Sequence, residues 1–433
     1  MQKKILGVAV AAALVAPGLA LAQSSVQIYG TINMSLARTS FDNVPAASGG
    51  NISKYAVNSH SSNWGIRSTE SLGGGMSAWF QAEFNVQMER RSNDNANIAQ
   101  TGEGSQRNSG LGLRGGFGNV YVGTWETPWA QTFRLWDVGT ISGYGPTTSI
   151  IGRRESTNSG TSFIPCNLTV AVANPATGAA NTTVPLGGCT STAVQAPTAF
   201  GGANNLGYSL WRRYQNAVFY ESPEWSGVQL KVAIQPNETK NNAIPATTIV
   251  AANPYSWSGS LSWTGMGGRG RAFLATMQSH DWSSAGNTDG GWTFGGGYDF
   301  GVANLGATYE QYTYKTGSAG QGGQGIGDIK AKEWAIGLAV PVGPGKIGAS
   351  YAKAKDLGIA GQDTSAKMWN LGYEWALSKR TALSFGVAKI DNGTNQGFTW
   401  TGATGGPSGP NEASPLPNGT DQTNYFVGIR HSF

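Results

Sequence analysis

The last ten residues, Asn424 to Phe433, constrain this chain more than any other stretch. Read as an extended strand, they place Tyr425, Val427, Ile429 and Phe433 on one face and Gly428, Arg430 and Ser432 on the other. A strand that is apolar on one side, polar on the other and ends in an aromatic residue suits a membrane β-barrel, where lipid bathes one face and water the other.

The N-terminus is that of an exported chain. Lys3 and Lys4 precede an apolar run from Ile5 to about Leu19, and Ala20-Leu21-Ala22 forms a small-x-small cleavage site. Residues 1–22 therefore read as a secretory signal, leaving 23–433 to fold. Without Lys3 and Lys4, 27 basic residues face 24 acidic ones. That balance is too slight and too scattered to attract nucleic acid.

Charged residues make up 12% of the chain, about half the usual share for soluble domains. Beyond the signal no apolar stretch reaches the ~18 residues of a transmembrane helix, and the mean hydropathy is −0.25. Alternation explains how a membrane chain can look so polar. Met76, Ala78, Phe80, Ala82, Phe84, Val86 and Met88 alternate with Ser77, Trp79, Gln81, Glu83, Asn85 and Gln87. Tyr255, Trp257, Leu261 and Trp263 alternate with Ser256, Ser258, Ser260 and Ser262. A period of two buries one face and wets the other. Runs of this kind recur along the chain and add up to roughly sixteen strands, an even number as bacterial barrels require. Short turns such as Ser71–Gly75, Gly116–Gly118, Ser222–Gly227 and Leu377–Arg380 alternate with longer polar segments. That is the order of a meander with turns at one rim and loops at the other.

Ser62-Asn-Trp-Gly-Ile-Arg-Ser-Thr-Glu-Ser-Leu-Gly-Gly-Gly-Met-Ser-Ala-Trp-Phe-Gln-Ala-Glu83 resembles the strand–turn–strand signature of Gram-negative general porins of the β-proteobacterial type. Ser25–Gly30, Phe117–Gly123, Asn216–Gly227 and Val427–Phe433 resemble the same family, in its order. The resemblance implies a transmembrane 16-stranded antiparallel β-barrel in the outer membrane, with a third loop folded inward to narrow the pore. It also implies a homotrimer, joined through the first strands and the last, among outer-membrane lipid and lipopolysaccharide. Three positions depart from the family: lumenal arginines common after Phe117-Gly118 are replaced by Tyr121 and Thr124, and the acid usual after Glu70 is Ser71.

The third loop, 128–212, is the outlier in length, and loops beyond about 15 residues are usually functional. Its first part, Trp129 to Arg154, reads as the constriction; Ala173 to Thr198 is low-complexity and reads as a surface excursion. The only cysteines, Cys166 and Cys189, fall in this loop and are expected to form a disulfide in an oxidising compartment. By chain entropy that closure would contribute roughly 3 kcal/mol.

Register turns Arg67, Glu83, Arg114, Lys231 and Arg430 inward, because a charge facing lipid near the midplane costs about 2–4 kcal/mol. Opposite them the loop would offer Glu126, Arg134, Asp137, Arg153, Arg154 and Glu155. Opposed charged walls bias ion flow; bases outnumber acids, so a weak anion preference is expected. A wide, nearly neutral channel in which these charges only hold the loop is the plainer alternative. Nothing marks an enzyme. His60 and His280 lie near loop regions, His431 shares parity with the lipid face, and no catalytic set converges. Gly320–Gly325 fits a dinucleotide fingerprint in letters but has no following helix, and no metal or cofactor is expected. The reading is a passive diffusion pore for ions and small hydrophilic solutes. A channel selective for a sugar or organic acid, with Trp129, Trp136 and Tyr144 as an aromatic slide, is one alternative; an adhesin or enzyme on a barrel scaffold is the other.

Overall fold

A computed structural model describes residues 25–86, 88, 107–152, 169–173, 180–185, 213–237, 240, 253–280, 288–315, 328–358, 361–400 and 417–433. The residues between Gly73 and Met76 show how the rims form: Gly73, Gly74 and Gly75 all take positive φ (80°, 60° and 78°), which lets the chain reverse within a few residues. Strands follow one another around the molecule as β1 (Ser25–Asp42), β2 (Ile52–Ser59), β3 (Asn63–Gly73), β4 (Met76–Asn85), β5 (Ser109–Gly115) and β6 (Gly118–Glu126). A separate hairpin, β7 (Thr169–Ala173) with β8 (Ala180–Pro185), lies within the third loop. The wall resumes with β9 (Arg213–Glu221), β10 (Val228–Gln235), β11 (Tyr255–Gly265), β12 (Gly270–His280), β13 (Thr288–Asp299) and β14 (Asn304–Tyr314). It ends with β15 (Ile329–Val342), β16 (Gly345–Ala354), β17 (Ala366–Ala376), β18 (Thr381–Asn392) and β19 (Asp421–Ser432).

Each wall strand pairs antiparallel with its neighbours, and β19 returns to pair with β1 from Thr31↔Ser432 to Asp42↔Asp421, so the sheet closes. β2 and β3 are two halves of one strand. Both face β1, and the chain breaks stride at Ser61, where φ is 55°. Counted so, the barrel has sixteen strands.

The faces sort as the alternation requires. Val26, Leu261 and Val427 stand 50–65% exposed on the outer wall, where lipid would cover them, while Ser258, Ala37 and Gln422 are buried inside. The interior of the barrel is where the third loop lies. Trp129, Trp136, Ile141, Tyr144, Ile150 and Ile151 are buried between the loop and an inner wall rich in alanine, serine and glycine. Among the described residues this loop–wall seam supplies the main packed core.

Candidate functional site: the loop-lined channel

The loop enters the lumen directly from β6. The Thr127 hydroxyl accepts the Ala130 N–H and Pro128 opens a single helical turn, Pro128–Gln131, followed by a second, Phe133–Trp136. Trp129 stacks on Tyr312 of β14 at 4.9 Å, and its backbone N–H donates to Ser258 Oγ on β11. Further on, Asn370 of β17 donates to the Gly139 carbonyl at 3.0 Å. Tyr144 stacks on Phe426 of β19 at 4.4 Å and its hydroxyl accepts from Asn58 of β2. The chain then turns back, and the Gly152 N–H donates to Glu310 Oε1 on β14 at 2.6 Å.

Close approach is possible because the wall under the loop lacks side chains. A Cβ on Gly306 would lie 1.9 Å from the Trp136 carbonyl oxygen, one on Gly348 2.7 Å from Ile141, and one on Gly428 2.7 Å from Ser142 Oγ. Glycine is needed there because another backbone occupies the space.

The described part of the loop thus covers the wall from β11 round to β2. Its first turn also packs on β6 and β10. Among the described residues the wall from β3 to β10 carries a cluster of charge that faces the lumen. Arg67 is exposed, donates from Nε to Gln27 Oε1 at 2.9 Å and lies over the Tyr29 ring. The Tyr29 hydroxyl donates to Glu83, whose carboxylate is ion-paired with Arg107. Higher on the wall, Glu126 is ion-paired with Arg134 at 2.6 Å and with Arg213 at 3.3 Å. Toward the short-turn rim, register sets Arg114, Asn119, Glu221 and Lys231 in one row. Lys231 there lies 3.2 Å from Glu221 and donates to Gln131 of the loop, and Arg114 lies over the Trp79 ring. Among the described residues, the six basic groups named here face three carboxylates, and each carboxylate is ion-paired.

Several expected site residues sit elsewhere. Asp137 does not face the open lumen: its carboxylate accepts hydrogen bonds from Thr140 and Thr147 inside the loop, and burial raises it above its ordinary value. Trp129, Trp136 and Tyr144 are 1–2% exposed and turned to the wall, so they form no slide for a passing solute. His60 lies at the β2–β3 break, buried against Tyr144 with Ser35 Oγ at 2.7 Å from Nε2. Arg430 is inward but stands apart near the short-turn rim, 3.2 Å from Glu374. Arg153, Arg154, Glu155, Cys166, Cys189 and Gly320–Gly325 lie outside the described residues.

Sequence reasoning missed Arg107, Arg213 and Glu221, and also the anchors His60, Glu310 and Asn370. Arg107 and Arg213 mark strand starts, where alternation carries no signal. Glu310 pairs across the sheet with Glu333, and both follow inward parity in a charge-poor chain, which was the available clue.

A closed sixteen-stranded barrel, apolar outside and narrowed by an inward loop over a charged wall, defines a water-filled outer-membrane channel. The sequence profile of the Gram-negative porin family matches residues 9–395, and the chain belongs to that family. Outer membrane porin protein 32 of Delftia acidovorans is 27% identical over 446 residues, with 100% of both chains covered. An outer membrane porin of Bordetella pertussis is 24% identical, covering 88% of this chain and 92% of its own. The solved anion-selective porin from Comamonas acidovorans superposes with a TM-score of 0.59 at 25% identity, covering 95% of this chain and 100% of that one. OmpT of Vibrio cholerae, at 14% identity and TM-score 0.55 over 95% of this chain and 98% of its own, shares the fold.

Proposed function

We propose that ions and small hydrophilic solutes pass between the third loop and the β3–β10 wall, and that this wall gives the porin a weak preference for anions. One observation carries the proposal. Glu83, Glu126 and Glu221 are each neutralised by a base, whereas Arg67 and Arg114 have no carboxylate partner among the described residues. A passing ion therefore meets uncompensated positive charge. The solved relative from Comamonas acidovorans is itself named anion-selective.

The constriction comprises Glu126 and Arg134, with Arg153, Arg154 and Glu155 next along the chain. The wall comprises Arg67, Glu83, Arg114 and Lys231, with Arg430 nearer the exit. Removal of residues 1–22 on export, a Cys166–Cys189 disulfide and assembly into a homotrimer among outer-membrane lipid and lipopolysaccharide complete the reading. The test is the reversal potential across a planar bilayer in a salt gradient. Neutralising Arg67 and Arg134 shifts permeability toward cations; an unchanged reversal potential would mean that they do not line the narrow passage.

A further inference from the structure

The inner face of the barrel accounts for the channel, but it leaves unexplained a cluster of lysines on the outer face. On β15 to β18 the lipid-facing parity runs through Leu338, Ile336, Trp334 and Lys332, through Ile347, Tyr351 and Lys353, through Leu371, Trp369 and Lys367, and through Phe385, Val387 and Lys389. Each series ends in lysine at the long-loop rim, and on β15, β16 and β17 that lysine lies one step beyond an aromatic residue. Trp334 and Tyr351 lie 5.4 Å apart between ring centroids. Such a band marks the membrane interface, so these ammonium groups stand at headgroup height.

Their arrangement is unfavourable without a counter-charge. Lys353 stands directly opposite Lys367 in register, and the Lys355 N–H bonds to the Lys332 carbonyl, which sets those two side by side. Like charges opposed across a sheet repel. Among the described residues on this face, Asp391 is the one acid in contact, 3.7 Å from Lys367 and also bonded to Lys389. Lys332, Lys353 and Lys355 enter no ion pair among the described residues. The adjoining segment 316–327 contains no acidic residue in its sequence, so it brings none to the cluster. The patch is local. At the same height β11, β12 and β13 present Tyr255, Trp257, Gln278 and Trp292 and no lysine or arginine.

We infer that Lys332, Lys353, Lys355 and Lys367 form a binding site for the phosphate groups of the outer-leaflet glycolipid, the lipid A moiety of lipopolysaccharide. A doubly phosphorylated headgroup supplies the charge that the protein lacks here, and its acyl chains continue down over Trp334, Tyr351, Trp369 and Ile336. Anionic lipid attracts basic residues placed at the membrane surface. The inference rests on the outer-membrane reading, with the long loops outside, and is independent of the ion preference of the channel.

The test uses the full-length folded protein in detergent, titrated with bis-phosphorylated lipid A, with fully dephosphorylated lipid A and with inorganic pyrophosphate. The native protein is expected to bind the phosphorylated lipid at least tenfold more tightly than either of the others. The variant Lys332→Gln/Lys353→Gln/Lys355→Gln/Lys367→Gln is expected to lose that margin, and Lys379→Gln/Arg380→Gln at the opposite rim to keep it. Folding is checked by the heat-dependent shift in gel migration. If the fourfold variant does not fold, Lys332→Gln/Lys355→Gln and Lys353→Gln/Lys367→Gln carry the same test, each with a loss of at least threefold. Conductance and reversal potential in 1 M salt are expected to stay unchanged in all of them. Equal affinity of variant and native protein, indifference to dephosphorylation, or pyrophosphate binding as tightly as the lipid would each overturn the assignment. A native channel without anion preference would overturn the proposed selectivity and leave the lipid result standing.

Discussion

Arg67 shows what one side chain can do in this channel. It is exposed on the charged wall, held by Gln27 and the Tyr29 ring, and balanced by no carboxylate among the described residues. A unit charge about 6 Å from a passing ion in water-like surroundings favours an anion by about 0.7 kcal/mol and disfavours a cation by about as much, roughly tenfold in the ratio of the two. Arg67→Gln is therefore expected to lower the anion-to-cation permeability ratio by about that factor in dilute salt, with the effect fading as screening grows. Bilayer reversal potentials at two salt concentrations check both parts. Gly306 acts through absence. Gly306→Val would drive carbon into the Trp136 carbonyl, and overpacking of this kind costs about 1–3 kcal/mol. The expected result is a noisier channel of altered conductance in single-channel recordings, with the barrel still resisting detergent below its usual melting temperature.

At the scale of the element, alternation made the wall strands legible, because lipid on one face and water on the other impose a period of two on every strand. Met76 to Asn85 shows it plainly. The same logic placed Arg67, Glu83, Arg114 and Lys231 on the inner face. It could not place the third loop, which has no period to read. Trp129, Trp136 and Tyr144 looked like candidates to meet solute, yet their apolar rings gain more by packing on the wall, where Phe426, Tyr312 and bare glycine backbone leave room. Asp137 belongs by sequence to the constriction segment Trp129 to Arg154, whereas two threonines ten residues or fewer away bind it inside the loop. Tyr144 is the principal clamp on the far side, meeting Phe426, His60 and Trp400. Aromatic pairs contribute about 0.5–1.5 kcal/mol each beyond burial. Tyr144→Ala is expected to free the loop's far end, seen as flickering conductance and as cleavage by added protease within residues 138–152, with neither expected of the native protein.

For the whole molecule the decisive junction is between the two ends of the chain. Gly30 and Phe433 exchange backbone hydrogen bonds of 3.2 and 3.0 Å, and the Phe433 ring lies over Gly30, where any Cβ would strike it. Unpaired backbone groups are costly in lipid, so the last bonds of closure matter more than two bonds would in water. Deleting Phe433 is expected to lower the temperature at which the folded form converts to the slower-migrating unfolded form on gels by several degrees, with conductance of surviving channels unchanged. A conversion temperature equal to that of the intact chain would show that β1 and β19 hold without this final contact.

The seating of the loop on glycine backbone has a wider consequence. Because Gly306, Gly348 and Gly428 contribute no side chains, the seat of the loop is fixed by main-chain geometry, while Arg67, Glu83, Arg114 and Lys231 stand on the opposite bank. Calibre and charge are thus set by separate groups of residues. A designer could recast the guanidinium-bearing strands for a new solute without disturbing the aperture, or widen the aperture at the glycines while keeping the sign of the current.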